Sequence, residues 1–226
     1  RGYTMNAEQI VNLVMKGDLK KHHKDLHWTG TYMEYLNAVA EHPDIARTAF
    51  QRMYDMIASY GHSTYIDNKK KVVHWKFFED PVDGGKDAVF GLDVHLMKLV
   101  NVLKAGSFQY GPEKRVLLLH GPVGSAKSTI VRLIKKGLEA YSRTTQGALY
   151  SYEWTNLKEL LKMEDSMACP MHEEPLHLVP VERRAAVLES LNKGRERGKK
   201  EVIEGDLCPA CRFIYRHLLD HYQGEW

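Results

Sequence analysis

Residues 115–139 read RVLLLHGPVGSAKSTIVRLIKKGLE, and they set the architecture of the chain. Val116 to Leu119 is an apolar run of the length of one buried parallel strand. Gly121-Pro122-Val123-Gly124-Ser125-Ala126-Lys127-Ser128-Thr129 follows. Ile130, Val131, Leu133 and Ile134 then recur at helical spacing, with Arg132, Lys135 and Lys136 on the other face. Strand, glycine-rich loop, Lys-Ser and helix, in that order, is the layout of a phosphate-binding P-loop.

The residue types follow from what a triphosphate requires, which is many donors and little bulk near its oxygens. Gly121 and Gly124 let the backbone turn so that its N–H groups face inward as an anion nest. The next helix adds its N-terminal dipole. Lys127 reaches the β- and γ-phosphates and is the catalytic candidate, while Ser128 places a hydroxyl on Mg²⁺. ATP and Mg²⁺ are therefore the expected cofactors. One position departs from the motif: Ala126 stands where the last Gly is usual, and alanine resists positive φ.

Composition narrows the class. The chain has 226 residues, 43% hydrophobic and 27% charged, as in a globular protein. A net charge of +3 is too mild to argue for nucleic acid. No apolar run approaches the ~18 residues of a membrane helix, and no signal-peptide pattern is present. A cytoplasmic location is expected. Three cysteines cannot all pair with one another, which argues against a disulfide framework.

In chain order, Asn6 to Lys16 reads as a short helix, and Lys20-Lys21-His22-His23-Lys24 as a solvated basic run. Thr31 with Glu34 forms a capping-box pattern before Tyr32, Leu36 and Val39. Asp44 to Tyr60 carries a helical stripe of Ile45, Ala49, Met53 and Ile57, with Gly61 as its stop. Val72 to Phe78 reads as a strand. Asp80 to Asp87, DPVDGGKD, is the clearest linker. These signals predict a helical N-terminal module over 1–80 and a P-loop domain over 81–226. Phe90 and Gly91 open a further helix before the P-loop strand, an order that resembles the adenine pocket of AAA+ ATPases and implies that Ala88, Val89 and Phe90 touch the base or ribose. Gly147 to Trp154 reads as a second buried strand, and Asn156 to Met163 as a helix.

The cysteines carry a second pattern. Cys169-x-x-His172 and Cys208-x-x-Cys211 are two pairs at knuckle spacing. Together they offer three thiolates and one imidazole, a tetrahedral Zn²⁺ set that would pin an insert around 164–212. The competing reading is a buried Cys169 thiol beside a solvated or redox Cys208/Cys211 pair.

GPVGSAKSTIVRLIKKGLEAYSRTTQGALYSYEW and CPMHEEPLHL together resemble the PrkA family of bacterial serine protein kinases. LHWTGTYMEYLNAVAEHPDIARTAFQRMYDMI and FGLDVHLMKLV are similar to that family's N-terminal segment and to the helix before its P-loop. The resemblance implies an AAA-type fold, a parallel sheet with helices on both faces, preceded by the small helical module. It implies ATP at Gly121 to Thr129 with Phe90 and Gly91 in the adenine pocket, and transfer of the γ-phosphate to serine of a protein substrate. It also implies stress physiology and self-association through the AAA domain. Two alternatives stay open: a Lon-like AAA+ module powering proteolysis or remodelling, and a binding module that uses ATP as a switch.

An apolar strand ending in Asp-Glu, which would hold Mg²⁺ and the attacking water, is not found, and VIEGD at 202–206 is too short for one. Kinase H-R-D and D-F-G sets are absent too. The hydrolytic half of the site is expected beyond Trp226.

Overall fold

A computed structural model of the chain describes residues 27–162 and 164–224. The chain divides into two units, Arg1–Thr31 and Tyr32–Trp226, and the described helices and strands lie in the second. The expected helix over 6–16 and the basic run over 20–24 lie outside the described residues.

Helix α1 (Tyr32–Glu41) buries Tyr35 and Val39. The predicted helix over 44–60 is split. Pro43–Ala46 is a short 3₁₀ turn, and α2 is Ala49–Ser59. Thr48 restarts the helix: its hydroxyl accepts the Gln51 N–H while the Gln51 side chain accepts the Thr48 N–H. Gly61, at φ 79°, ends it as expected. A hairpin follows, β1 (His62–Asp67) antiparallel to β2 (Lys70–Trp75). Its two-residue turn has Asn68 and Lys69 both at positive φ, which matches the right-handed strand twist. The predicted strand thus ends at Trp75, and Lys76–Glu79 is a 3₁₀ turn.

Helix α3 is Asp93–Ser107 and α4 is Lys127–Tyr141. Met56 and Ile57 of α2, Trp75, Phe77 and Phe78, Val100 and Leu103 of α3, and Ile130 and Leu133 of α4 form one buried cluster. That cluster contradicts a boundary at residue 80, because side chains on both sides of it share one core. The linker itself is stitched to α4. Lys136 contacts Asp80 at 3.0 Å and Asp83 and Asp87 at 3.4 Å, and Arg132 grips Asp87 with two hydrogen bonds.

The remainder builds a smaller region: β3 (Glu153–Trp154) antiparallel to β4 (Met167–Ala168), α5 (Lys158–Leu161), α6 (Val181–Leu191) and α7 (Pro209–His221). Gln51 of α2 is tied to it by donating to the carbonyl of Lys200 at 2.8 Å.

The expected parallel sheet does not appear among the described residues, whose only sheets are these two antiparallel pairs. Residues 116–120 are not assigned to a strand, with Val116 94% and Leu118 83% exposed. A strand exists only with a hydrogen-bonded neighbour ~4.8 Å away, and no described segment takes that place. The second predicted strand, 147–154, shrinks to Glu153–Trp154 for the same reason. No helix among the described residues is long and apolar enough to cross a membrane.

Candidate functional site

The loop 121–126 curls around its own lysine. Lys127 Nζ donates to the carbonyls of Gly121 and Pro122 at 2.8 and 2.6 Å, and to Ser125 Oγ at 2.8 Å. An ammonium has three N–H donors, and these three oxygens take all of them. Ser125 Oγ in turn donates to the Pro122 carbonyl at 2.8 Å. A Cβ at Gly121 would lie 3.0 Å from Ser125 Oγ, a tight approach. Gly124 is required by its φ of 83°.

Ala126 also adopts positive φ, 55°, as the residue that caps α4. The loop therefore holds, at Ala126, the strained backbone that glycine usually supplies. Ser128 is exposed on the first turn of α4, Thr129 is half-buried, and Val123 projects fully into solvent. Ile130 and Leu133 seat the helix in the core below.

Before α3, Phe90 is 78% exposed and Gly91 has φ 72°. Val89 is a core residue of the cluster that also holds Ile130, so it is no base contact, and Phe90 is the aromatic face left free. The acidic loop escaped the sequence reading. Asp80, Asp83 and Asp87 sit three and four residues apart, opposite an i, i+4 Arg132–Lys136 pair, a charge match that its glycines disguised.

The cysteine pattern resolves differently. Cys169, Cys208 and Cys211 meet, but Glu173 and not His172 stands with them, each offering one ligand atom within 4.8 Å of all the others. His172 takes φ 49° at the end of the Cys169-Pro170-Met171 turn, which leaves its ring exposed and lining another cavity with Arg47, Arg52 and Glu174. Burial pushes the Cys211 thiol up to about 12. Burial also works to raise the Glu173 carboxyl, but the Cys208 N–H and the Tyr152 hydroxyl lead the donors that hold it below its ordinary value.

With this geometry in view, the comparisons decide the family. The model of the PrkA AAA domain matches residues 30–226. The chain belongs to the PrkA AAA domain family. It is 37% identical over 185 residues, 81% of its length, to the "ATP-dependent protease PrkA" of Bacillus subtilis (strain 168), and covers 24% of that relative. A shorter match, 39% over 75 residues, reaches the "Uncharacterized protein in gldA 5'region" of Geobacillus stearothermophilus, covering 33% of this chain and 66% of the relative. No solved structure matches. The chain thus spans about a quarter of the Bacillus PrkA protein. An AAA domain is a P-loop ATP-binding module that works with Mg²⁺.

Proposed function

We propose that the chain binds Mg²⁺-ATP at Gly121–Thr129 and supplies the ATP-driven part of a longer PrkA protein acting in ATP-dependent proteolysis. One observation carries the binding half: Lys127 Nζ sits at the start of α4, ringed by three oxygen acceptors at 2.6–2.8 Å. Phosphate oxygens are stronger acceptors than those carbonyls and would take over its donors. The backbone N–H groups at the start of α4 would meet the same anion, and Ser128 would ligate Mg²⁺. Phe90 would stack on the adenine. The proteolytic half is supported by the printed name of the Bacillus relative.

Phosphoryl transfer to a protein serine is the second reading. The exposure of Val123 and Ser128 around the phosphate loop favours it, because an acceptor hydroxyl from another protein has open access there. Self-association through the AAA domain belongs to both readings.

Calorimetry of ATP with Mg²⁺ on the chain and on Lys127→Ala tests the binding. Losing charge-assisted hydrogen bonds of ~1.5–3 kcal/mol each weakens affinity by at least about tenfold. Unchanged affinity overturns the site. γ-Labelled ATP given to the full-length protein with an unfolded protein substrate separates the activities. ATP-dependent fragments support proteolysis, and label on serine replaces it with the kinase reading. Tight binding with neither outcome leaves a nucleotide-switched binding module.

A further inference from the structure

The second site rests on residues that ATP binding does not use. Cys169 and Cys211 are fully buried and Cys208 is 7% exposed. They come from two separate turns, one after β4 and one opening α7, and only the tertiary fold joins them.

Each turn aims a backbone N–H at a sulfur. Glu173 N donates to Cys169 Sγ at 3.4 Å, and Cys211 N donates to Cys208 Sγ at 3.5 Å. Such N–H groups stabilise a thiolate far more than a thiol, and around metals they form the outer layer that orients the ligands. Cys208 also caps α7, where the helix dipole favours negative charge.

Glu173 adds the fourth donor. Its Oε2 accepts the Tyr152 hydroxyl at 3.1 Å and the Cys208 N–H at 3.1 Å, with Cys169 Sγ at 3.5 Å. These described partners are O–H, N–H and S–H groups, and none is a cation. Glu173 is half-buried, and these donors turn its carboxylate toward the three buried thiols. The three sulfurs cannot all be satisfied by one disulfide, and all three are free thiols.

We propose that Cys169, Cys208, Cys211 and the carboxylate of Glu173 hold a structural zinc ion. Three soft thiolates select zinc over magnesium or calcium, and a full set of four protein ligands leaves no open position for catalysis. Zn–S bonds of ~2.3 Å put tetrahedral ligands about 3.8 Å apart. The present set, within 4.8 Å, closes on the ion by about 1 Å. The ion then staples the β4 turn to the start of α7 and fixes the intervening segment, including α6.

The test is metal analysis of the full chain purified under reducing conditions, followed by cobalt substitution. About one zinc per chain is expected, with an intense thiolate-to-cobalt charge-transfer band once Co²⁺ replaces it. Glu173→Ala should weaken zinc affinity by at least about tenfold, and His172→Ala should leave it unchanged. Where Cys208→Ser fails to fold, titrating zinc off the unaltered chain with a competing chelator gives the affinity directly. A metal-free reduced protein that shows no charge-transfer band with cobalt overturns the site. Zinc lost in His172→Ala and kept in Glu173→Ala overturns the ligand set.

Discussion

Lys136, on the helix after the phosphate loop, lies 3.0 Å from the fully buried carboxylate of Asp80. Asp80 also accepts the N–H groups of Asp83 and Asp87, at 3.3 and 3.0 Å, and itself stands at φ 57°. The turn and the helix are thus one object. A shift in α4 moves the acidic loop, and with it the chain leading into Phe90.

The acidic loop makes stability depend on acid. Burial works against the Asp80 charge, yet the Asp87 N–H and the Lys136 ammonium hold its carboxyl below the usual 3.8. The Arg132 guanidinium holds Asp87 down at about 2. A carboxyl depressed on folding contributes stability that is present above its unfolded pKa and lost as pH falls through the folded one. The contribution of this loop to the melting temperature should therefore hold level above about pH 4 and drop toward pH 2. Asp80→Ala should cost about 1–3 kcal/mol at neutral pH, since three donors lose their acceptor, and should flatten the acid limb. An unchanged limb would mean that the loop does not dock on α4.

Ala126 is a residue where a smaller one should do as well or better. A left-handed alanine is strained by roughly 1–2 kcal/mol, partly offset in glycine by its greater freedom when unfolded. Ala126→Gly should keep or strengthen ATP binding and raise stability by up to about 1 kcal/mol. Calorimetry and a denaturant melt measure both, and a tenfold loss of affinity would show that the methyl group is itself part of the loop's fit.

Glu174 predicts an alkaline weakness. Burial pushes its carboxyl up to about 8 against the Leu176 N–H, with Glu201 adding repulsion. A carboxyl raised on folding binds a proton as the chain folds. Its stability is full below the unfolded value of 4.5 and declines as pH rises toward 8. Glu174→Gln should match the wild type near about pH 5 and exceed it by ~2 kcal/mol near about pH 9. Equal stability at both pH values would place the group in water.

Gly137 is set by contact. A Cβ there would meet Phe77 Cε2 at 2.5 Å and Met56 Sδ at 2.8 Å. Both neighbours are core residues that cannot swing away. Gly137→Ala should destabilise by about 1–3 kcal/mol despite alanine's better helix propensity. A neutral or stabilising result in urea unfolding would mean that α4 does not seat on α2 as described.

The sequence by itself determined the glycine-rich loop, the helix after it, the glycine that ends α2, and the two cysteine-bearing turns. Each is written within a few consecutive residues, because φ, helical period and the reach of one lysine are local properties. The tertiary structure decided the rest. It merged both sides of Asp80 into one core, kept 116–120 without a strand partner, and put Glu173 beside the thiols while His172 faced away. Those outcomes depend on groups tens of residues apart meeting at van der Waals or hydrogen-bond distance, and no spacing along the chain encodes such a meeting.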